Sequence, residues 1–449
     1  MADILPFRGL IYDLKKVGDL ALVTAPPYDV ISEKAMPKYY AKHPYNVIRL
    51  ELGDSNPGQD RYQLCAKYFK DWEGKGILIR EREPAFYFYR VDFPLNEKEW
   101  KVRQGFIGLC RLEEFGKGLI LPHEQIHEAQ KEDRLEVLRS SQANFSQIFS
   151  LYSDSEQTIH SLFKEFMEQP PLFDYFDEDH IHHRLWSVKD RNLFIQVRKN
   201  MKEKILFLAD GHHRYEAALA YEKEMGKKSS LLTGREAFHY TMMYFCAFED
   251  EGLTILPSHR LIFNLPHFNR NHFESELKKY FKRIDIPFHP ENEQSKRIEF
   301  FVALEKEGER GNVFGLYIQG NSYYTLLHFK KELGLSSTIG KNIPAVLQKL
   351  DVIILHRFVL EQLLGIEEED QDQNRIRIIK NHHRAIDLVR NGNFQMAFLL
   401  NPPKVEEVQE VASEGETMPQ KSTFFYPKLP TGLVINKVMS DEMIDDLIP

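Results

Sequence analysis

Residues 205–226 carry the feature that most narrows what this chain can fold into. A short apolar run, ILFLA, meets Asp210-Gly211 and passes at once into HHRYEAALAYEKEMG. The first run has the length of a buried strand, and the second has helical spacing and stops at a glycine. The Asp-Gly step between them makes a tight turn. Gly211 tolerates backbone conformations closed to other residues, and Asp210 is placed to cap the helix. A strand that feeds a helix this directly belongs to a mixed α/β protein.

Strand-like and helix-like segments alternate along the rest of the chain. Alternation and β-branched content predict strands at 46–52, 85–93, 100–112, 146–152, 312–318, 323–329 and 394–400. The run YTMMYFCAF (240–248), apolar on both faces, predicts a central strand. Helical spacing marks 59–74, 123–140, 155–168, 190–203, 271–277 and the stretch from Leu350 to His356. The expected organisation is an N-terminal α/β segment (1–115), a core (116–250), a C-terminal α/β domain (251–437) and an acidic, peripheral tail (438–449).

The chain has 449 residues, with 59 Lys+Arg against 67 Asp+Glu and a net charge of −8. That balance argues against a nucleic-acid or membrane-surface binder, which carries a basic excess. Cys65, Cys110 and Cys246 are far apart and odd in number, which excludes a disulfide framework and a cysteine zinc site and suits a reducing cytoplasm. No secretory signal is expected from MADILPFRGL, and no apolar run reaches membrane-spanning length.

The Asp210–Arg214 turn is also the sharpest chemical signal. Free N–H groups at a helix start attract anions. Arg214, with His212 and His213 when protonated, sits at the positive end of the helix dipole, where a cation costs up to ~1 kcal/mol. A bound phosphate or carboxylate relieves the misfit; the bland reading buries the histidines and pairs Arg214 locally.

Three further segments stand out. His123-Glu124-Gln125-Ile126-His127 matches H-E-x-x-H, in which a helix aligns two histidines on zinc and the glutamate acts as base. An exposed polar helix is the alternative. Met418-Pro419-Gln420-Lys421-Ser422-Thr423 offers a Lys charge and two hydroxyls to a phosphate, without the glycines of a Walker loop. A turn before a strand is its plainer reading. Ala25-Pro26-Pro27-Tyr28-Asp29-Val30 and Pro257-Ser258-His259-Arg260 are candidate presenting loops.

APPYDVIS (25–32), NVIRLELG (46–53), ADGHHRYEAAL (209–219), PSHRLI (257–262) and MPQKSTFFYPKLPTGLV (418–434) resemble the bacterial and archaeal domain-of-unknown-function family numbered 1015. A narrower likeness is to the ParB/sulfiredoxin-like free serine kinases of archaea. These carry Leu-x-Pro-His-Glu, a helix, a short strand, then a strand ending in Asp-Gly-His-His-Arg. Here Leu121 directly precedes Pro122, and residues 153–204 lengthen the connection. The resemblance implies a ParB/sulfiredoxin-like nucleotide-binding core at 116–250, with Glu124 as catalytic base. It implies phosphate and Mg²⁺ binding by Asp210, Gly211, His212, His213 and Arg214, with Asp210 as metal ligand and Asp210 and His213 catalytic. His127 would then be incidental. His123 is expected at the substrate, Lys421, Ser422 and Thr423 at phosphate, and Arg134, Arg49 or Lys421 at the substrate carboxylate. The implied activity is transfer of a phosphoryl group from ATP or ADP to free L-serine. A ParB-like nucleotide-binding regulator without catalysis and a zinc hydrolase are the competing readings.

Overall fold

The computed structural model describes residues 2–53, 58, 60–96, 98–228, 232–330, 343–366 and 375–444. The protein is a mixed α/β structure that divides into two compact units. Unit 1 comprises Met1–Pro122, Ile126–Thr254 and Pro427–Pro449; unit 2 comprises His123–Gln125 and Ile255–Tyr426.

Unit 1 is built on a nine-stranded sheet. Its order is Ile120–Leu121, Leu206–Asp210, Ile148–Tyr152, Tyr240–Ala247, Trp100–Arg111, Phe86–Pro94, His182–Val188 and Phe173–Phe176, with Ile4–Leu5 also on Trp100–Arg111. Tyr240–Ala247 lies inside the sheet and is buried along nearly its whole length, as its apolar run predicts. The strands that bind 85–93 to 100–112 are antiparallel partners. Helix Arg191–Met201 forms because Asp190 caps it, accepting from the Leu193 N–H, and because Leu193, Phe194, Val197 and Met201 all enter the core.

Several expectations are corrected. Residues 46–52 are not a strand: Ile48–Glu51 is a short helix. The Asn46 side chain accepts from the Ile48 N–H and donates to the Leu22 and Thr24 carbonyls, fixing a turn that overrides β-branched propensity. The sheet takes strands from both sides of position 115, so no division falls there. The helix expected from 123 begins at Glu128. Helix 155–168 is confined to Thr158–Phe163 and a 3-10 turn at Phe166–Glu168. Strands Phe173–Phe176 and His182–Val188 were not foreseen. The described part of the tail is docked: Val438 is buried and Glu442 pairs with Arg80.

Unit 2 holds a six-stranded antiparallel sheet in the order Phe281–Pro287, Tyr323–Phe329, Val313–Ile318, Met396–Leu399, His259–Ile262 and Ile376–Ile379. Helices Glu293–Gly308 and His382–Arg390 supply Phe300, Leu304, Ala385, Ile386 and Val389 to its core.

Candidate functional site

The strand–turn–helix junction in unit 1 is a true elbow. The pairing register of Leu206–Asp210 with Ile148–Tyr152 slips between Leu208 and Asp210, bulging the strand at Ala209 and setting Asp210 opposite Phe149. Gly211 follows at φ +94°, and a Cβ there would lie 2.8 Å from the Arg214 guanidinium. The Tyr215 N–H donates to the Gly211 carbonyl at 3.0 Å, opening a 17-residue helix, His212–Lys228. Ala217 and Ala218 are buried in the core beneath it.

The Asp210 carboxylate is engaged by two cations. One carboxylate oxygen accepts from Lys428 Nζ at 2.9 Å, and the other from Arg214 Nη2 at 3.3 Å. Burial works to raise the Asp210 pKa, but Lys428 and Arg214 prevail and hold it at about 2. Lys428, far along the chain in the segment KLPTGL, carried no signal in the sequence beyond its place in that family motif. Arg214 also donates to Ser146 Oγ (3.0 Å) and the Gln147 carbonyl (2.7 Å), so its guanidinium braces the elbow instead of standing free.

From Arg214 a polar chain runs inward. Ser146 Oγ donates to Glu51 Oε1 at 3.0 Å, and Arg134 Nη1 donates to Glu51 Oε2 at 2.6 Å. Arg134 also pairs with Asp133 and stacks 3.7 Å above the Tyr28 ring. Arg134 therefore lies in the cluster but is buried and committed to carboxylates. Asp29, exposed yet ringed by protein atoms, has its pKa raised by that crowding and by Asp210, with Lys428 and Arg214 opposing. The candidate loop APPYDV thus does present Tyr28 and Asp29 to the elbow. Arg49 serves elsewhere: it donates to the His43 and Tyr40 carbonyls, each at 2.9 Å.

The histidines are corrected in character. His213 Nε2 accepts from the His127 N–H at 3.1 Å. Burial, His127 and Arg214 push its pKa down to about 4, so it is neutral near pH 7. His212 is buried. The cations left at the helix start are Arg214 and Lys428, both paired with Asp210, and Asp29 brings a second carboxyl group to the same place.

The other motifs meet in unit 2. Met418 N donates to the His123 carbonyl at 2.7 Å, and Gln125 N donates to the Met418 carbonyl at 3.2 Å. Glu124 Oε1 accepts from the Lys421 N–H at 3.0 Å, and His123 Nε2 lies 2.9 Å from Thr423 Oγ1. Arg260, fully buried, donates to the Ser258 carbonyl (2.8 Å), His356 Nε2 (3.0 Å) and the Lys421 carbonyl (3.4 Å). Burial lowers its pKa to about 10, and the Glu124 charge opposes. Segments 123–125, 258–260 and 418–423, read separately in the sequence, form one strap around Glu124. Ser422 and Thr423 are buried and bond within it: Ser422 Oγ donates to the Pro419 carbonyl.

The helical zinc reading fails. Residues 123–127 are not helical, so H-E-x-x-H never places its histidines one turn apart. Asp210, expected to hold Mg²⁺, has both oxygens engaged by cations. Among the described residues no cluster of three or more His, Cys, Asp or Glu side chains suits a metal.

With fold and geometry in hand, the comparisons define a class. The family described as "Protein of unknown function (DUF1015)" matches residues 4–353. The chain belongs to that family, as its motifs foretold. No curated protein matches it. Among solved structures it is similar to a "Free serine kinase in complex with AMP" at 15% identity and TM-score 0.33, covering 70% of this chain and 88% of that one. It is similar to a conserved hypothetical protein from Pyrococcus furiosus at 15% identity and TM-score 0.32, covering 73% and 94%. It is also similar to C-terminally truncated SbnI from Staphylococcus aureus at 10% identity and TM-score 0.32, covering 75% and 90%. Likenesses this faint assign no activity. Among the described residues no helix is long and apolar enough to cross a membrane.

Proposed function

We propose that this protein is a small-molecule kinase that transfers the terminal phosphoryl group of ATP or ADP to the hydroxyl of a small amino acid, most concretely free L-serine. The observation that carries the reading is the elbow: a glycine-hinged helix start that brings Arg214 and Lys428 together. Positive charge and free N–H groups at one point suit a polyphosphate. Glu124, held by the Lys421 N–H, accepts the hydroxyl proton. The hydroxyl oxygen then bonds to phosphorus as the bridging P–O bond breaks, and the electron pair leaves with the nucleotide. No step is assigned to Mg²⁺.

The test is an assay with ATP, ADP or pyrophosphate, with and without Mg²⁺, against a panel of hydroxylated amino acids. Glu124→Gln should lower turnover by about a hundredfold or more while nucleotide still binds. Binding without turnover in the unaltered protein would favour the regulator reading. Loss of binding together with turnover in Glu124→Gln would remove Glu124 as base.

A further inference from the structure

Phe281–Pro287 is an outer strand of the unit 2 sheet; among the described residues its one strand partner is Tyr323–Phe329. The Lys330 N–H donates to the Tyr280 carbonyl at 2.9 Å and the Phe288 N–H to the Ser322 carbonyl at 2.8 Å, one at each end of this ladder. Backbone groups alternate sides along an antiparallel strand, so those of the even-numbered residues face Tyr323–Phe329. Those of Phe281, Arg283 and Asp285 face outward, and an open row of this kind is a template for another strand.

The side chains select the strand that fits. Arg283 and Asp285 share one face, where Arg283 Nε donates to Asp285 Oδ1 at 2.7 Å, Arg283 Nη1 to Glu274 at 2.8 Å and Thr325 Oγ1 to Asp285 Oδ1 at 2.7 Å. The Asp285 side chain is still 40% exposed. Ile284 is on the opposite face, the face of the core residue Ile286, and is also 40% exposed. A second copy that meets this edge antiparallel must set outward groups against outward groups, which leaves few two-fold registers. An axis at Lys282, Arg283 or Asp285 places that residue's charge against itself. An axis at Ile284 sets Arg283 opposite Asp285 of the second copy, twice over, and lays Ile284 on Ile284 as a close non-hydrogen-bonded pair. In that register Arg283 and Asp285 exchange both backbone bonds with their counterparts, and Pro287, which has no N–H, ends the ladder. Edge charges ordinarily keep copies apart; these favour one register and oppose its neighbours. We infer that unit 2 pairs with a second copy of this chain through Phe281–Pro287, joining two six-stranded sheets edge to edge in a closed dimer. The inference does not depend on the kinase reading.

Analytical ultracentrifugation of the full chain tests it. The parent protein should show a concentration-dependent monomer–dimer equilibrium. Asp285→Arg and Arg283→Asp, each alone, place like charges opposite one another and should weaken association by at least about tenfold. An equimolar mixture of the two variants restores opposite charges at both pairs and should recover dimers. Both variants lack the contact between 283 and 285 within one chain, so a purely internal role for that pair does not predict recovery on mixing. Ile284→Glu, at an exposed position, sets two carboxylates together at the axis and should also weaken the dimer by about tenfold or more. A monomeric parent, a mixture that stays monomeric, or a dimer that Ile284→Glu leaves unmoved would overturn the inference.

Discussion

Gly211 shows how a single missing carbon sets a site. At φ +94° any side chain is strained, and a Cβ would strike the guanidinium that braces the elbow. Gly211→Ala should cost about 1–3 kcal/mol in urea unfolding, and it should loosen nucleotide binding because Arg214 must move. Asp351 in unit 2 makes a second prediction. Burial raises its pKa to about 7, with Asn312 opposing, Glu407 adding and Lys404 opposing; Asn312 Nδ2 donates to Oδ1 at 2.7 Å. The folded value lies above the unfolded ~3.9, so the folded chain takes the proton first as pH falls. The destabilising charge is therefore present above about pH 7 and gone below the unfolded value. Asp351→Asn should melt higher than the parent protein near pH ~8, with the gap closing towards pH ~4. A constant gap would show that charge is not the cause.

Among the elements, those whose stability is local were the ones legible beforehand. Helix 59–74 is observed as Arg61–Gly74, capped by Asp60, and the run 240–248 as the strand Tyr240–Ala247. The segment 46–52 misled because Asn46 ties its backbone to residues more than twenty positions earlier. Strand His182–Val188 was missed because His183, Leu185 and Ser187 alternate with His182, Arg184, Trp186 and Val188, so neither face is uniformly apolar, a pattern that only pairing with Phe86–Pro94 resolves. At the candidate site, Asp210 and Gly211 were readable from a turn of five residues. Lys428 and the union of Glu124 with Lys421 were not, since no local spacing encodes contacts across hundreds of positions. The buried Glu51–Arg134 pair joins helices Ile48–Glu51 and Glu128–Ser141. Arg134→Met leaves Glu51 without its guanidinium and should cost about 3–5 kcal/mol by chemical denaturation. Replacing Glu51 as well, by Leu, should recover much of that loss.

For the whole molecule, each unit has its own sheet and its own core. The three tryptophans, Trp72, Trp100 and Trp186, all fall in unit 1. Tryptophan fluorescence therefore reports unit 1 alone, while far-ultraviolet dichroism reports both units. Urea titrations followed by the two signals should not superimpose. Superimposed curves would mean that the units unfold as one.

Unit 1 also recruits Pro427–Pro449, with Asn436–Lys437 laid on Ala143–Asn144 and Lys428 on Asp210. A ribosome reaches these residues on the order of ten seconds or more after it has finished Thr254. Until then the nascent elbow holds an aspartate without its lysine, and the protein emerging from translation cannot yet have the charge balance of the finished one. Truncation just before Lys428 should leave a chain that never acquires it, however complete its helices.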